Sequence, residues 1–299
     1  MIYEFAVDPE AVNNWKDFRY VIEKFGVSNG RLISRFPKNW KRMVYEACEK
    51  CNPIERKKIE EKLIKIDVLF LRNSRDYIPE YNWIGNAVKD HAKKPFKLII
   101  TNETNNEIRE IVSVTDLTDD NIFFNVKREV IVKRKSSELT KYLNPLISLA
   151  TEVFFVDPHF APEASRYRKT FEAYLQCINL SKITLVEFHL KEKSRFEFFE
   201  NECMKLSRII PQGLKVKFVR WKKMPLRDGL HPRYIFTNIG GIRIEKGLDE
   251  GDGDENTDMS LLDNSLFEIR LAEYKIKPSP FEFVDEKIVL GTKNLDISL

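Results

Sequence analysis

A histidine and an arginine two positions apart, His231 and Arg233, are the residues of this sequence whose types and spacing point most directly to chemistry. They stand at the start of a β-rich run. Because side chains alternate across a strand, both side chains point to the same face, with their backbone positions roughly 6.6 Å apart. An imidazole can attack phosphorus or relay a proton, and a guanidinium can hold two phosphate oxygens. The pair therefore predicts a phosphate site. The alternative is a plain hairpin, with residues 234–237 and 242–244 paired and His231 only at its entry.

A strongly basic segment lies directly before this pair. Residues 203–227 contain eight basic side chains and no acidic one. Such a cluster commonly meets a polyanion, and a solvated face explains it equally well. Under the first interpretation, the side chains of this segment predicted to bind nucleic acid or another polyphosphate are Lys215, Lys217, Arg220, Lys222 and Lys223.

The elements that position these residues follow from an alternation of apolar runs with amphipathic stretches in the second half of the chain. Runs at 152–156, 183–190 and 215–221 are typical of strands, and helical spacing separates them. This alternation predicts a layered β/α sheet. Open α/β sheets bind ligands at the carboxyl ends of their strands. His159, just after the first run, and Arg166, on the helix that follows, are therefore candidate phosphate ligands.

The first part of the chain has a different pattern. Helical spacing dominates up to residue 92, and β-rich runs follow at 96–101, 111–115 and 122–132. The prediction is an α/β protein. A mixed helical-then-β domain of unassigned role covers residues 1–135 and could serve assembly into a homodimer or a larger complex, and the layered β/α domain covers residues 136–299.

Composition limits the classes of protein that remain. The 299 residues carry a net charge of only +4 and are 42% hydrophobic, enough to build two cores. No apolar run approaches membrane-spanning length and the start lacks the order of a secretory signal, so we expect no membrane insertion and a cytoplasmic location. No phosphate-cradling glycine loop and no Gly-x-Ser-x-Gly or His-Glu-x-x-His motif occurs. We expect no cofactor.

Two motifs suggest metal binding, and we expect neither to hold a metal. Cys48 and Cys51 form a Cys-x-x-Cys without a second pair or a nearby histidine. The acidic run 252–263 matches five positions of a calcium-loop template, but Thr257 replaces the turn glycine and Asp263 replaces the bidentate glutamate. A flexible acidic loop is the preferred interpretation.

The second half resembles the phospholipase D superfamily over roughly residues 136–280. The matching pieces are residues 156–160 with the Tyr167 helix, residues 230–233, Gly241 with its neighbours, and residues 246–249. The likeness is greatest to the phospholipase-D-like domain that follows microtubule-interacting-and-trafficking domains, and to bacterial relatives of that domain.

The resemblance implies a metal-independent active site that uses a His-x-Lys motif and a later Asp twice, within one chain or across a homodimer. One histidine attacks phosphorus, and the other protonates the leaving oxygen. Here His231 is the matching histidine, Arg233 stands in place of the lysine, and Asn238 stands in place of the aspartate. Asn238 cannot orient an imidazole as a carboxylate does.

Three functions remain open at this point. The preferred prediction is a phosphate-recognising, nucleic-acid-binding protein whose phospholipase-D-like site is degenerate. The alternative is an active phosphodiesterase, a nuclease that completes its site as a homodimer, with a role in bacterial antiviral defence against foreign DNA. The third is binding to membrane phosphoinositides, for which the sequence offers no lipid-inserting helix.

Overall fold

The computed structural model describes residues 1–71, 75–105, 107–225, 229–230 and 232–294, without the side chains of residues 67 and 68. The chain forms two compact units, Met1–Arg128 and Glu129–Leu299. The sequence predicted the boundary between residues 135 and 136. In the structure the second unit already begins at Glu129, because residues 129–133 pair with a strand of that unit.

The first unit is built on a five-stranded parallel sheet. Its strands are β1 (Tyr3–Val7), β2 (Arg31–Ser34), β3 (Phe70–Leu71), β4 (Ile99–Thr101) and β5 (Ile111–Ser113). Its helices are α1 (Trp15–Lys24), α2 (Trp40–Ala47), α3 (Pro53–Lys65) and α4 (Trp83–Lys93). The strand order is β3-β2-β1-β4-β5, and each neighbouring pair is parallel. The chain therefore starts at the centre of the sheet and adds strands on both sides.

Strands and helices alternate in this unit, whereas the sequence predicted helices first and strands later. β2 and β3 have only four and two residues, too few to show a strand period. The run 122–132 is not one strand, since pairing begins only at Glu129. Phe124 is instead buried in the core of the first unit, where its ring lies 6.0 Å from that of Phe5.

The second unit is built on an eight-stranded mixed sheet. Its strands are β6 (Glu129–Lys133), β7 (Glu152–Val156), β8 (Leu185–Lys191), β9 (Lys215–Lys223), β10 (Arg233–Thr237), β11 (Gly241–Ile244), β12 (Asn256–Leu261) and β13 (Phe281–Leu290). Its helices are α5 (Ser136–Ile147), α6 (Ser165–Gln176), α7 (Phe196–Lys205) and α8 (Asn264–Lys275). The order is β13-β9-β8-β7-β10-β11-β12-β6, with β7, β8 and β9 parallel and the other pairs antiparallel. The predicted α/β class and its layered sheet are confirmed.

The central strand β7 is covered on both faces, which explains why residues 152–156 form a continuous apolar run. On one face the ring of Phe155 lies 5.9 Å from that of Tyr174 on α6. On the other face Phe154 belongs to an apolar cluster with Tyr274 of α8. Burial of such aromatic side chains supplies the main stabilising free energy of the sheet, at roughly 25 cal/mol per Å² of apolar surface.

Candidate functional site

Four strand ends meet at one end of the second sheet, which we call the edge, where β7, β8 and β11 stop and β10 starts. β7 and β8 run parallel and end there, and β10 runs antiparallel to β7 and begins there with Arg233. β11 ends beside them, since Ile244 is the register partner of Arg233. The residues next to these ends come from distant parts of the sequence, and the sheet brings them together.

Asp157, the residue after β7, is fully buried and fixes the turns of this edge. Its Oδ1 accepts the backbone N–H of His159 at 2.8 Å, and its Oδ2 accepts that of Leu248 at 2.9 Å. Burial raises the pKa of Asp157, while the two backbone donors and the charge of Arg233 act in the opposite direction. Because both oxygens bind backbone, Asp157 holds His159 against the loop that follows β11.

That loop approaches Asp157 closely because residue 247 is a glycine. Gly247 has a φ of +149°, and a Cβ there would lie 2.5 Å from Oδ1 of Asp249 and 3.5 Å from Oδ2 of Asp157. The turn presents the Leu248 N–H to Asp157, and the Leu248 carbonyl accepts the hydroxyl of buried Tyr174 at 3.2 Å. A side chain at position 247 would therefore require the Asp249 carboxylate to shift.

Asp249 is a second buried carboxylate, and it holds two arginines. Its Oδ1 lies 2.5 Å from Nη2 of Arg134, and its Oδ2 lies 3.1 Å from Nε of Arg166. Arg134 also pairs with Glu255 at 2.5 Å, so buried Asp249 and Arg134 connect to exposed partners at both ends of the ion-pair network. Arg166 remains largely exposed, so Asp249 orients a guanidinium that a ligand can still reach.

His159, Lys191 and Lys193 form an exposed cationic group at the same edge. Nζ of Lys193 lies 3.3 Å from Nδ1 of His159. Desolvation lowers the pKa of His159, and the charges of Lys193, Arg233 and Lys191 lower it further. Desolvation and the neighbouring cations likewise lower the pKa of Lys193, against the attraction of nearby carboxylates. The charges of Lys191 and Arg233 act on both His159 and Lys193, and such a cluster of cations is suited to bind an anion.

Arg233 lies beside this group and is only partly satisfied by the protein. Its Nη1 donates to the carbonyl of Glu245 at 3.1 Å. Its Nε is buried and has no hydrogen-bond partner among the described residues. An unsatisfied buried donor costs about 1–3 kcal/mol, so the hydrogen bonds of the described residues leave the guanidinium of Arg233 only partly satisfied. His231, the other half of the predicted pair, lies outside the described residues.

The structure does not bring Asn238 and Arg233 together. Asn238 follows the far end of β10, five residues along an extended strand, or roughly 16 Å away. There its Oδ1 accepts the backbone N–H groups of Thr151 at 2.8 Å and Glu152 at 3.3 Å. Asn238 therefore fixes the start of β7 and cannot orient an imidazole at the opposite edge.

Arg220, predicted as a nucleic-acid ligand, is buried in an ion pair. Its guanidinium is 2% exposed, and its Nε and Nη2 donate to the two oxygens of Asp285 at 2.6 and 2.5 Å. Its Nη1 donates to the Ser194 carbonyl at 2.7 Å. Because these N–H groups bind within the protein, Arg220 is not available to a ligand. It connects β9 to Asp285 on β13 and to the loop before α7.

The lysines of the basic segment differ in how far acids neutralise them. Lys217 pairs with Glu187 at 2.5 Å, and Lys222 lies 3.8 Å from Glu192. Lys215 and Lys223 are exposed at opposite ends of β9, and only Lys223 lies towards the edge that contains Arg233 and His159.

Sequence reasoning missed Lys191, Lys193 and Arg134. A usable signal existed for the two lysines, since they follow a predicted buried strand directly, where α/β sheets place their ligand-binding groups. No local pattern identifies Arg134, because its partner Asp249 reaches it only through the pairing of β6 with β12.

Metal-binding and membrane-spanning features are absent from the described residues. No group of three or more His, Cys, Asp or Glu side chains there could hold a metal ion. The acidic run 252–263 extends over a turn, β12 and a helix cap, where Oδ1 of Asp263 accepts the Leu266 N–H at 2.9 Å, so it is not a single loop. None of the described helices is long and apolar enough to cross a membrane.

Comparison with solved structures finds similar chains, two of which are Nuc and TrmBL2. No family model and no curated protein matches the sequence. The chain is similar to Nuc, a phospholipase D family member from Salmonella typhimurium, with 9% identity and a TM-score of 0.35 over 52% of this chain and 97% of that one. It is also similar to TrmBL2, an archaeal chromatin protein whose structure shows a novel mode of DNA binding, with 14% identity and a TM-score of 0.29 over 54% of this chain and 55% of that one.

Proposed function

We propose that the second unit binds the phosphate groups of a polyanion, with nucleic acid as the preferred ligand, at the edge where β7, β8 and β10 meet. The observation that carries this proposal is the 3.3 Å approach of Lys193 Nζ to His159 Nδ1, with no carboxylate of the described residues ion-paired to Lys193. A phosphate bound between His159, Lys193 and Arg233 would offset the repulsion between Lys193 and Arg233 and accept charge-assisted hydrogen bonds. Because such contacts involve the backbone of a nucleic acid, we expect little dependence on base sequence.

The two carboxylates of the site favour binding over catalysis. Asp157 uses both oxygens to accept backbone N–H groups, and Asp249 uses both to hold arginines. Neither forms a hydrogen bond to the His159 ring among the described residues. A histidine that acts as a nucleophile or base is normally oriented by a third group, and no carboxylate in the described part of the chain does this for His159.

The proposal is tested by titrating a labelled oligonucleotide with the parent protein and single variants over a range of salt concentrations. Lys193→Met and Arg233→Met should weaken binding and reduce the log-log salt slope by about 0.7 for each lost contact to a single strand. Lys215→Met is the matched control, since it removes an exposed lysine at the other end of β9. If Lys193→Met and Arg233→Met both show the salt slope of the parent protein, the proposal is wrong.

A second candidate function is metal-independent cleavage of a phosphodiester. One observation favours it: the lowered pKa keeps His159 uncharged near neutral pH, as a nucleophile or general base requires. One imidazole would form an N–P bond as the P–O ester bond breaks, and a second would give its proton to the leaving oxygen. The second histidine would be His231 of the same chain, or two copies of His231 would act together in a homodimer.

A cleavage assay in chelator separates the two functions. Under the binding proposal, the parent protein gives no turnover with or without divalent metal. Chelator-resistant cleavage that disappears in His231→Ala or His159→Ala, while binding persists, would replace binding with catalysis as the function. Cleavage of equal strength in both variants would indicate a contaminating nuclease.

A further inference from the structure

The row of exposed cations continues past the phosphate site along the edge of the sheet. Lys191 is the last residue of β8, and its register partner on β9 is Trp221. Paired residues lie on one face and alternate residues return to it, so Lys191, Trp221 and Lys223 share a face. Neither Lys191 nor Lys223 forms an ion pair in the part of the chain that the structure describes. Arg233 is one residue out of phase with this face, because Tyr234 pairs with Val156, which pairs with His189. The cations thus pass over the strand ends, from Arg233 on one face of the sheet, through His159 and Lys193, to Lys191 and Lys223 on the other face.

The acids near this row do not neutralise it. Glu192 lies 3.8 Å from Lys222, and Glu282 is the register partner of the same lysine, which places these acids on the other face. Glu163 interacts electrostatically with Lys193, but the pKa of Lys193 is lowered in spite of it. The face that carries Lys191 and Lys223 therefore keeps its positive charge.

An exposed aromatic ring lies at the far end of this row. Phe283 on β13 is the register partner of Trp221, and the two rings are 6.0 Å apart in an edge-to-face arrangement. Phe283 is nevertheless 48% exposed. Nζ of Lys277 lies 6.0 Å from the centre of its ring, so a cation accompanies this aromatic surface as well.

We propose that this row is a track for a single-stranded nucleic acid, which deepens the proposed function and rests on it. One phosphate lies at Arg233, His159 and Lys193, the chain then follows Lys191 and Lys223, and a base stacks on Phe283. Single-strand binders combine a basic path for the backbone with aromatic rings on which bases stack, and both elements occur here. Neighbouring strands are about 4.8 Å apart, so the row spans roughly 14 Å, more than one phosphate group occupies.

The test compares two labelled probes: a dinucleotide with a single phosphodiester, and an oligothymidylate of about eight nucleotides. Arg233→Met should weaken the binding of both probes. Lys223→Met should leave the dinucleotide unaffected, and Lys191→Met and Lys223→Met should each reduce the salt slope for the longer probe by about 0.7. Phe283→Ala should weaken the longer probe at least about fivefold through the lost stacking contact. Lys215→Met is again the control, and Phe283→Leu checks that packing against Trp221 is retained.

The outcomes separate the track from the phosphate site. If Arg233→Met weakens both probes but Lys191→Met, Lys223→Met and Phe283→Ala bind the longer probe like the parent, the track is wrong and the phosphate site stands. If Arg233→Met changes neither probe, both proposals fail. If vesicles of phosphatidylcholine with a polyphosphoinositide bind through Lys191, Lys223 and Phe283 while the oligonucleotide does not, the ligand is a membrane surface and the track for nucleic acid is overturned.

Discussion

Nζ of Lys193 lies 3.3 Å from Nδ1 of His159, and the two residues reach this contact from the ends of neighbouring parallel strands. Desolvation lowers the pKa of His159, and the charge of Lys193 lowers it further. A bound anion would favour the protonated form of His159. Ligand binding and proton uptake at this site are therefore linked.

The first prediction follows from that linkage. Because an anion raises the lowered pKa of His159, affinity should increase as pH falls from about 8 to about 5.5, through the ordinary range of a histidine. Dissociation constants for an oligonucleotide, measured at constant ionic strength across this range, check the prediction. His159→Gln is the control and should flatten the profile. A profile of equal steepness in that variant would assign the proton to another group.

A second prediction concerns Gly247. Gly247→Ala should destabilise the second unit by roughly 1–3 kcal/mol, because its φ is strained for alanine and the new Cβ meets Asp249. Displacement of Asp249 should also weaken anion binding, since Asp249 holds Arg166. Gly253→Ala is a matched control, with a positive φ of 58° and no atom within 4 Å of the added Cβ. Denaturant unfolding should show a clearly larger loss for Gly247→Ala, and equal losses would contradict this account.

A third prediction concerns buried His189, which must be neutral in the folded protein. The indole N–H of Trp221 donates to its Nδ1 at 3.0 Å, so that nitrogen carries no proton. Its Nε2 lies 3.0 Å from Glu187, off the direction of a good hydrogen bond. Desolvation lowers the pKa of His189, although Glu187 opposes this. The unfolded chain therefore binds a proton that the folded chain excludes, and stability is lost as pH falls below about 6.5.

His189→Phe should remove this pH dependence, which is at most about 1.4 kcal/mol per pH unit for one proton. The variant should be less stable overall, because the Trp221 indole loses its acceptor. Asp8, whose pKa burial raises to about 6, titrates in the same window with the opposite sign, so the difference between parent and variant isolates His189. Unfolding in urea at about pH 7.5 and 5.5 measures it. A pH dependence that persists unchanged in His189→Phe would contradict the prediction.

The fourth prediction separates Arg220 from the binding lysines. Arg220→Met should cost about 3 kcal/mol or more, because it leaves the Asp285 carboxylate beside an apolar group. The folded variant should keep the salt slope of the parent for oligonucleotide binding, since the guanidinium of Arg220 is committed within the protein. Lys222→Met should change stability by no more than about 0.5 kcal/mol. A reduced salt slope in Arg220→Met would contradict this prediction and indicate that Arg220 contacts the oligonucleotide.

The sequence alone determined the layered class of the second unit, and it predicted that ligands bind at the carboxyl ends of the parallel strands, where the phosphate site is proposed. The continuous apolar run before Asp157 predicts a strand covered on both faces, and a strand end in an open α/β sheet is where ligands bind. That argument selected His159, which the structure does bring to the edge where Arg233 begins β10. These features are local, because periodicity and strand ends are properties of short segments.

Only the tertiary structure decided which charged groups are ion-paired within the described part of the protein and which are not. In the sequence, Arg220 and Lys193 are both basic residues near the end of a predicted strand. In the structure, Asp285 forms an ion pair with Arg220, whereas no carboxylate of the described residues forms an ion pair with Lys193. The sequence places Asn238 close to Arg233, and an extended strand places it at the opposite edge. Coulomb interactions depend on distance in space and on burial, and strand pairing sets both.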